Sequence, residues 1–231
     1  MEQRQTYALL ISGDELRFIH SISTFQQFLL NEVGIPRDRI RLVSYHESKN
    51  YAIDEIGDFF RTLPKDMLAD VVIVYNGHGL EGKFFPNGQE LRYKDFGRLI
   101  AKLIPNTADY IFLNDSCYSG SCVPPFADVG LLPRRGMILA SNSADKKSDY
   151  DVFVQRVMDT YRKRRPFTKR VVGMLVIEMG EFMKPHLIVD KSGQENIVFP
   201  YHPTSDRMVL GSIQHPVRAG KSLDHLLFSK R

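Results

Sequence analysis

Short apolar runs alternate along this chain with segments whose apolar residues recur at helical spacing. The apolar runs predict buried strands at residues 7–12, 39–45, 70–77, 109–116, 136–143 and 186–190. The helically spaced segments predict helices at residues 18–33, 51–63, 94–104, 149–163 and 168–183. Strands rich in Val, Ile and Leu that are separated by helices are typical of a mostly parallel sheet covered on both faces. The pattern therefore predicts an α/β fold, a three-layer α/β/α sandwich with a mostly parallel central sheet.

Two local signals add detail to this pattern. Gly34, followed closely by Pro36, ends the first predicted helix. Farther along, the residues Pro86, Asn87 and Gly88 stand between "KFF" and "ELR" and predict a hairpin turn.

The last part of the chain breaks the alternation. In residues 192–231, Gly, Pro and His are spread through short apolar pieces such as "RMVLGSI". We expect this segment to be either an irregular lobe packed on the sheet edge or a partner-binding or regulatory extension. The prediction is a main domain at residues 1–191 and a C-terminal extension at residues 192–231, whose role and partner are unknown.

The composition fits a globular protein away from membranes. Of the 231 residues, 43% are hydrophobic and 25% are charged, which is an ordinary balance. No run approaches the ~20 apolar residues of a membrane span, and "YALLI" is too short for a secretory signal. Cys117 and Cys122 are the two cysteines, too few for a disulfide framework, and they fit a reducing compartment. We therefore expect a cytoplasmic protein with no membrane contact.

The net charge of +4 raises the question of nucleic-acid binding. Its densest source is the run "YRKRRPFTKR" at residues 161–170. No zinc-finger, helix-turn-helix or RNA-binding sheet signature accompanies that run. A solvated helix end with its following loop explains it, so we expect no nucleic-acid partner.

Two predicted strands end in reactive side chains. The segment "VVIVYNGHG" places His78 after one strand, and "YIFLNDSCYSG" places Cys117 after the next long one. Active groups in open parallel sheets lie outside the carboxyl ends of the strands. The intervening segment has room for one hairpin and one crossover helix, so the two strands can be neighbours. The sequence therefore predicts that a thiol and an imidazole meet at one sheet edge.

This pairing suits nucleophilic catalysis. A free cysteine has a pKa of about 8.5 and is only a few per cent thiolate at neutral pH. A nearby imidazole can accept its proton and later protonate a leaving amine. Gly77 and Gly79 flank His78 and let the backbone turn tightly beside a substrate. The amides of Gly79 and Cys117 are candidates for an oxyanion hole.

The motifs "NGHG" and "NDSCYSGS" resemble those of the caspase-fold cysteine peptidases, particularly the legumain and metacaspase branches. The stretches "GIPRDRIRLVSY" and "FFPNGQEL" are similar to segments of legumain-type enzymes, and the match covers roughly residues 7–190. The resemblance implies a caspase-like fold and a caspase-like peptidase domain at residues 1–191. It also implies that His78 is the general base, Cys117 the nucleophile and Gly79 an oxyanion-hole amide, with no essential third carboxylate and no cofactor.

The resemblance further implies a specificity pocket. Asp115 matches the acid that lines it, and this carboxylate would pair a substrate Arg or Lys as in metacaspases, or accept from a side-chain amide as in legumains. A strand-end carboxylate satisfied by backbone amides is the structural alternative. The metacaspase Asn-Asp pair at the first helix is absent, and the legumain Arg-His pair is present only loosely, as Arg17 and His20.

Polar residues after the next strand match the opposite pocket wall of these families. The residues concerned are Ser141, Asn142 and Asp145. The segment "SNSADKKSD" is also good turn chemistry, so a purely structural role stays open.

The sequence thus predicts a thiol protease, a hydrolase that acts on protein or peptide substrates through a thioester intermediate and cleaves after Arg or Lys. Cleavage after Asn is one alternative, and a catalytically silent interaction module of the same fold is another. A metal site built from Cys117, Cys122 and histidines is not expected, because the cysteine spacing is not a zinc-knuckle pattern.

Overall fold

The computed structural model describes residues 5–44, 51–66, 68–131, 136–141, 152–163, 186–189, 195–199 and 210–213. Its strands are β1 (Gln5–Ser12), β2 (Ile40–Val43), β3 (Ala69–Asn76), β4 (Gly79–Leu80), β5 (Lys83–Phe84), β6 (Leu91–Arg92), β7 (Ala108–Asp115), β8 (Gly136–Ala140), β9 (His186–Val189), β10 (Glu195–Phe199) and β11 (Leu210–Ile213). Its α-helices are α1 (Leu16–Phe28), α2 (Ala52–Thr62), α3 (Tyr93–Leu103), α4 (Val123–Asp128) and α5 (Val152–Lys163).

The main sheet has the strand order β2-β1-β3-β7-β8-β11-β10-β9. Every pair from β2 to β8 is parallel, and the pairs from β8 to β9 are antiparallel. The central strands β3 and β7 are buried along their whole length, as expected for strands covered on both faces. The predicted α/β fold with a mostly parallel central sheet is confirmed.

Two groups of helices cover the two faces of this sheet. Alternate residues of β1, β3 and β7 form one core with α2, α3 and α4, and Phe60, Phe96 and Phe126 are among its largest helical side chains. The intervening strand residues face α1 and α5, which pack against each other and contact β1, β3 and β7. From α1, Phe18 and Phe25 are fully buried in this second core.

Several predicted boundaries agree closely with the structure. The first predicted helix begins at Leu16, passes into a π-helical turn at Leu29–Val33 and ends at Gly34, whose φ of 82° is left-handed. The predicted hairpin is present, since β5 and β6 pair antiparallel around a 3₁₀ turn at Pro86–Gly88. The strand predicted at 136–143 ends earlier, at Ala140. The helix predicted at 168–183 lies outside the described residues.

The C-terminal part of the chain contributes to the main sheet. Strands β10 and β11 both lie within residues 192–231, and β11 pairs with β8. The division between a domain at 1–191 and an extension at 192–231 stays a prediction. None of the helices in the described ranges has both the length and the apolar character needed to cross a bilayer.

Candidate active site

The two predicted reactive residues leave the sheet side by side. Strands β3 and β7 are parallel neighbours, and Asn76 is paired in register with Asp115. His78 and Cys117 each stand two positions beyond this pair. The amide of Gly77 donates to the carbonyl oxygen of Asp115 over 3.2 Å, which keeps the two chain segments together past the strand ends.

Gly79 packs directly against the turn that carries the cysteine. A Cβ atom at this position would overlap the carbonyl oxygen of Cys117 and would lie 2.7 Å from Oγ of Ser116. No residue with a side chain fits there without moving the backbone of the cysteine turn. The structure therefore brings the His78–Gly79 segment and the Cys117 turn into direct contact.

His78 is fixed at both its backbone and its ring. Its carbonyl oxygen accepts from the hydroxyl of Tyr75 at 2.6 Å and from the amide of Phe85 at 3.3 Å. Its ring makes an edge contact with Phe18, with centroids 5.0 Å apart and planes at 83°. Nε2 of the ring contacts a carboxylate oxygen of Glu15. The imidazole is nevertheless 41% exposed, so it remains accessible from solvent.

Glu15 is a site residue that the sequence analysis did not single out. Its second carboxylate oxygen pairs with Arg17 at 2.7 Å. The hydrogen bond with His78, together with the charge of Arg17, holds the pKa of Glu15 below its usual value. Glu15 follows the carboxyl end of β1, and β1 lies beside β3. This position would have indicated Glu15 only if the strand order were known, and that order was not evident from the sequence.

The two cysteines occupy contrasting environments. Neither cysteine forms a disulfide; Cys117 is partly exposed, whereas Cys122 is fully buried. Burial raises the pKa of the Cys122 thiol to about 12. Cys122 is therefore a neutral core residue at neutral pH, and Cys117 is the thiol that solvent can reach.

The turn after Cys117 has an unusual backbone conformation. Tyr118 has φ 55° and ψ 23°, the left-handed region that residues other than glycine rarely adopt. Its carbonyl oxygen accepts from both the amide and the hydroxyl of Ser121, at 2.9 and 2.7 Å. The same hydroxyl accepts from the amide of Gly82 at 2.9 Å. These bonds tie the turn that carries Cys117 to the turn between β4 and β5, which follows His78.

A buried network of polar side chains supports the turn that carries Cys117. The hydroxyl of Ser116 donates to Oδ1 of Asn114 at 3.0 Å. The side-chain amide of Asn114 donates from Nδ2 to the hydroxyl of Tyr93 at 3.0 Å and to the carbonyl of Ser119 at 3.2 Å. Ser141 joins the network, because its hydroxyl lies 3.4 Å from the Ser116 carbonyl. Ser141 is 3% exposed, so it contributes here as a buried support of the turn.

Asp115 lies in a row of buried polar side chains at the carboxyl edge of the sheet. Ser12, Asn76 and Asp115 are register partners on β1, β3 and β7, and register partners in parallel strands point to one face. Oδ2 of Asp115 accepts from the amide group of Asn76 at 3.0 Å and from the backbone amide of Val154 at 3.4 Å. Within the described residues, Oγ of Ser12 and Oδ1 of Asn76 have no hydrogen-bond partner although they are buried.

The other predicted pocket residues are distributed differently. Arg17 is exposed beside Glu15, with its guanidinium carbon 4.8 Å from the Phe18 ring centroid. His20 is exposed on α1, and its carbonyl accepts from Thr24. Asn142 and Asp145 lie outside the described residues. Among the ranges that the structure covers, no cluster of three His, Cys, Asp or Glu could hold a metal ion, and the expected absence of a metal stays a prediction.

Comparisons with known proteins bear on the fold. No family model matches the sequence. No curated protein matches it. Protein GSU0716 from Geobacter sulfurreducens is similar in structure, with a TM-score of 0.62 and 13% identity over 98% of this chain and 100% of that chain. Caspase-1 from Spodoptera frugiperda is also similar, with a TM-score of 0.57 and 14% identity over 100% of this chain and 92% of that chain. The chain has a caspase-like α/β fold.

Proposed function

We propose that this protein is a cysteine endopeptidase that acts on protein or peptide substrates through Cys117 and His78, without a cofactor. One observation carries the proposal: the His78–Gly79 segment and the Cys117 turn leave paired parallel strands together and are in contact. The exposure of both side chains supports it, since a substrate can reach them. The caspase-like fold supports a peptidase as the class of enzyme.

Each group has a definite part in the proposed reaction. His78 takes the proton from the Cys117 thiol, and the thiolate attacks the carbonyl carbon of the scissile bond. The amides of Gly79 and Cys117 donate to the oxyanion that forms. His78 then gives its proton to the leaving amine, and a thioester to Cys117 remains. Water hydrolyses the thioester with His78 again acting as base, which restores the free thiol.

We propose further that the substrate residue before the cut is Arg or Lys. The row of Ser12, Asn76 and Asp115 offers, beside a carboxylate, two buried oxygens that have no hydrogen-bond partner among the residues that the structure describes. Oxygen acceptors require a partner that donates, and a carboxylate favours a cationic donor. A guanidinium or ammonium group satisfies both conditions. Asp115 also accepts the amide of Val154, so the same carboxylate fixes the beginning of α5.

The test is hydrolysis of peptide reporters that end in Arg, Lys or Asn, under reducing conditions and with or without calcium. We expect cleavage of the Arg and Lys reporters by the wild type and by Cys122→Ala, and none by Cys117→Ala. Cleavage of the Asn reporter alone would replace the basic specificity by the legumain-like one. If no reporter is cleaved and a thiol-directed activity probe does not label Cys117, the silent interaction module is the better description.

A further inference from the structure

We infer that Glu15 is a positioning residue for His78, whose carboxylate holds the imidazole through Nε2–H and leaves Nδ1 as the nitrogen that takes the thiol proton. The catalytic consequence rests on the function proposed above, whereas the contact itself does not. The resemblance to caspase-type enzymes implies no essential third carboxylate, so this group would be an addition to the dyad of Cys117 and His78.

The direction of the hydrogen bond follows from the chemistry of the two groups. An ionised carboxylate has acceptors only, so the ring nitrogen that contacts Glu15 must carry the proton. The lowered pKa of Glu15 keeps its carboxylate ionised at neutral pH. In a neutral histidine the other ring nitrogen is then unprotonated and can accept a proton. Glu15 therefore selects the tautomer in which Nδ1 can act as a base.

The segment that carries Glu15 is itself held against the loop of His78. The amide of Gly13 donates to the carbonyl of Asn76 at 2.8 Å, which extends the pairing of β1 with β3 beyond the strand ends. A Cβ atom at Gly13 would lie 2.9 Å from the Phe18 ring and 3.1 Å from Cα of Gly77. The backbone before Glu15 thus packs closely on the backbone before His78. The backbone that leads to Glu15 is therefore held close to the backbone that leads to His78.

Arg17 and Phe18 limit the remaining motion of the pair. Arg17 bonds the second carboxylate oxygen of Glu15, and Phe18, which is 1% exposed, makes a T-shaped ring contact with His78. The χ2 torsion of a histidine is otherwise broad, and a 41% exposed ring would sample several orientations. The carboxylate also faces the positive charge that the imidazole gains when it accepts the proton. The restrained ring orientation and the nearby carboxylate both favour proton transfer from the Cys117 thiol to His78.

Magnetic resonance of isotope-labelled histidine tests the contact without any assumption about peptidase activity. The His78 signals are assigned by their loss in His78→Gln. We expect an ordered ring with a single Nε2–H tautomer in the wild type and in the control variant Glu81→Gln. Glu81 is an exposed glutamate in the turn between β4 and β5. In Glu15→Ala we expect a mobile ring, with a relaxation order parameter below about 0.6. An ordered ring with the same tautomer in Glu15→Ala would overturn the inference.

The rate of Cys117 alkylation by iodoacetamide at neutral pH tests the catalytic consequence. We expect Glu15→Ala to slow it by about 10- to 100-fold, part of the 10²–10⁴ that a positioned base contributes. Glu15→Gln keeps the side-chain volume and is the variant to use if Glu15→Ala does not fold; it should slow the reaction in the same direction. If His78→Ala reacts at the wild-type rate, the proposed dyad fails. If His78→Ala is slow but both Glu15 variants react at the wild-type rate, only the inference about Glu15 fails.

Discussion

The side-chain amide of Asn76 donates a hydrogen bond to the carboxylate of Asp115 across the paired strands β3 and β7. Each residue precedes a proposed catalytic residue by two positions. The bond therefore joins the chain just before His78 to the chain just before Cys117. The carboxylate also receives the amide of Val154 from α5. One buried group therefore links the sheet edge, the proposed pocket and a covering helix.

Replacement of Asp115 by Asn distinguishes a role in substrate recognition from a purely structural role of the carboxylate. If the carboxylate binds a cationic substrate side chain, Asp115→Asn should weaken transition-state binding of Arg and Lys reporters by about 1.5–3 kcal/mol, the range for a hydrogen bond to a charged group. The kcat/KM ratio of Arg to Asn reporters measures this. The control is Asp95→Asn, an exposed carboxylate on α3. An unchanged ratio would mean that Asp115 has only a structural role, as the acceptor for Asn76 and for the beginning of α5.

Replacement of His78 by Ala tests the base. The ring is partly exposed, so its loss should leave the fold intact. Because positioned proton transfer is worth about 10²–10⁴ in rate, we expect turnover to fall by that factor. Circular dichroism and a melting curve establish that the variant is folded. Wild-type turnover in a folded His78→Ala protein would remove this residue from the mechanism.

The periodicity of the sequence was sufficient to predict the strands that carry the site. β3 and β7 are continuous apolar runs, and their ends place His78 and Cys117 at one edge. The Glu15 contact could not be predicted in the same way, because it depends on β1 lying beside β3 and on the path of the short loop into α1. The position of β11 beside β8 was hidden for another reason. Its pairing is between distant parts of the chain, and Gly211 interrupts the apolar pattern there.

The left-handed conformation of Tyr118 predicts a contrast between two substitutions. Asn tolerates this region, whereas a β-branched residue is strongly disfavoured in it. We expect Tyr118→Val to lower the free energy of unfolding by about 1–2 kcal/mol relative to Tyr118→Asn, the cost of forcing such a residue into the left-handed region. Urea denaturation of both variants measures the difference. Equal stabilities would mean that the turn relaxes to another conformation without cost.

The burial of Cys122 predicts that alkylation of the native protein adds one group per chain. Its thiol has a pKa of about 12 and is shielded from solvent, while Cys117 is partly exposed. Iodoacetamide should therefore modify the native protein at Cys117 only, and both cysteines should react once the protein is unfolded in denaturant. Mass spectrometry of the intact chain counts the added groups, and Cys117→Ala provides the control. Rapid modification of Cys122 in native Cys117→Ala would contradict the buried placement.

The contact between Glu15 and His78 predicts how stability depends on pH. The folded protein lowers the pKa of Glu15, mainly through the hydrogen bond with His78 and secondly through Arg17. A carboxyl group with a lowered pKa binds protons more weakly in the folded state than in the unfolded state, so its contribution is fully present above the ordinary glutamate pKa of about 4.3. It is lost as the pH falls through the folded-state value. Because Glu15 is 41% exposed, solvent screens the interaction and the effect should be small. We expect the melting temperature of the wild type to fall more steeply in acid than that of Glu15→Gln, and Glu81→Gln to follow the wild type. Parallel curves for the wild type and Glu15→Gln below the ordinary glutamate pKa would mean that the contact adds no stability.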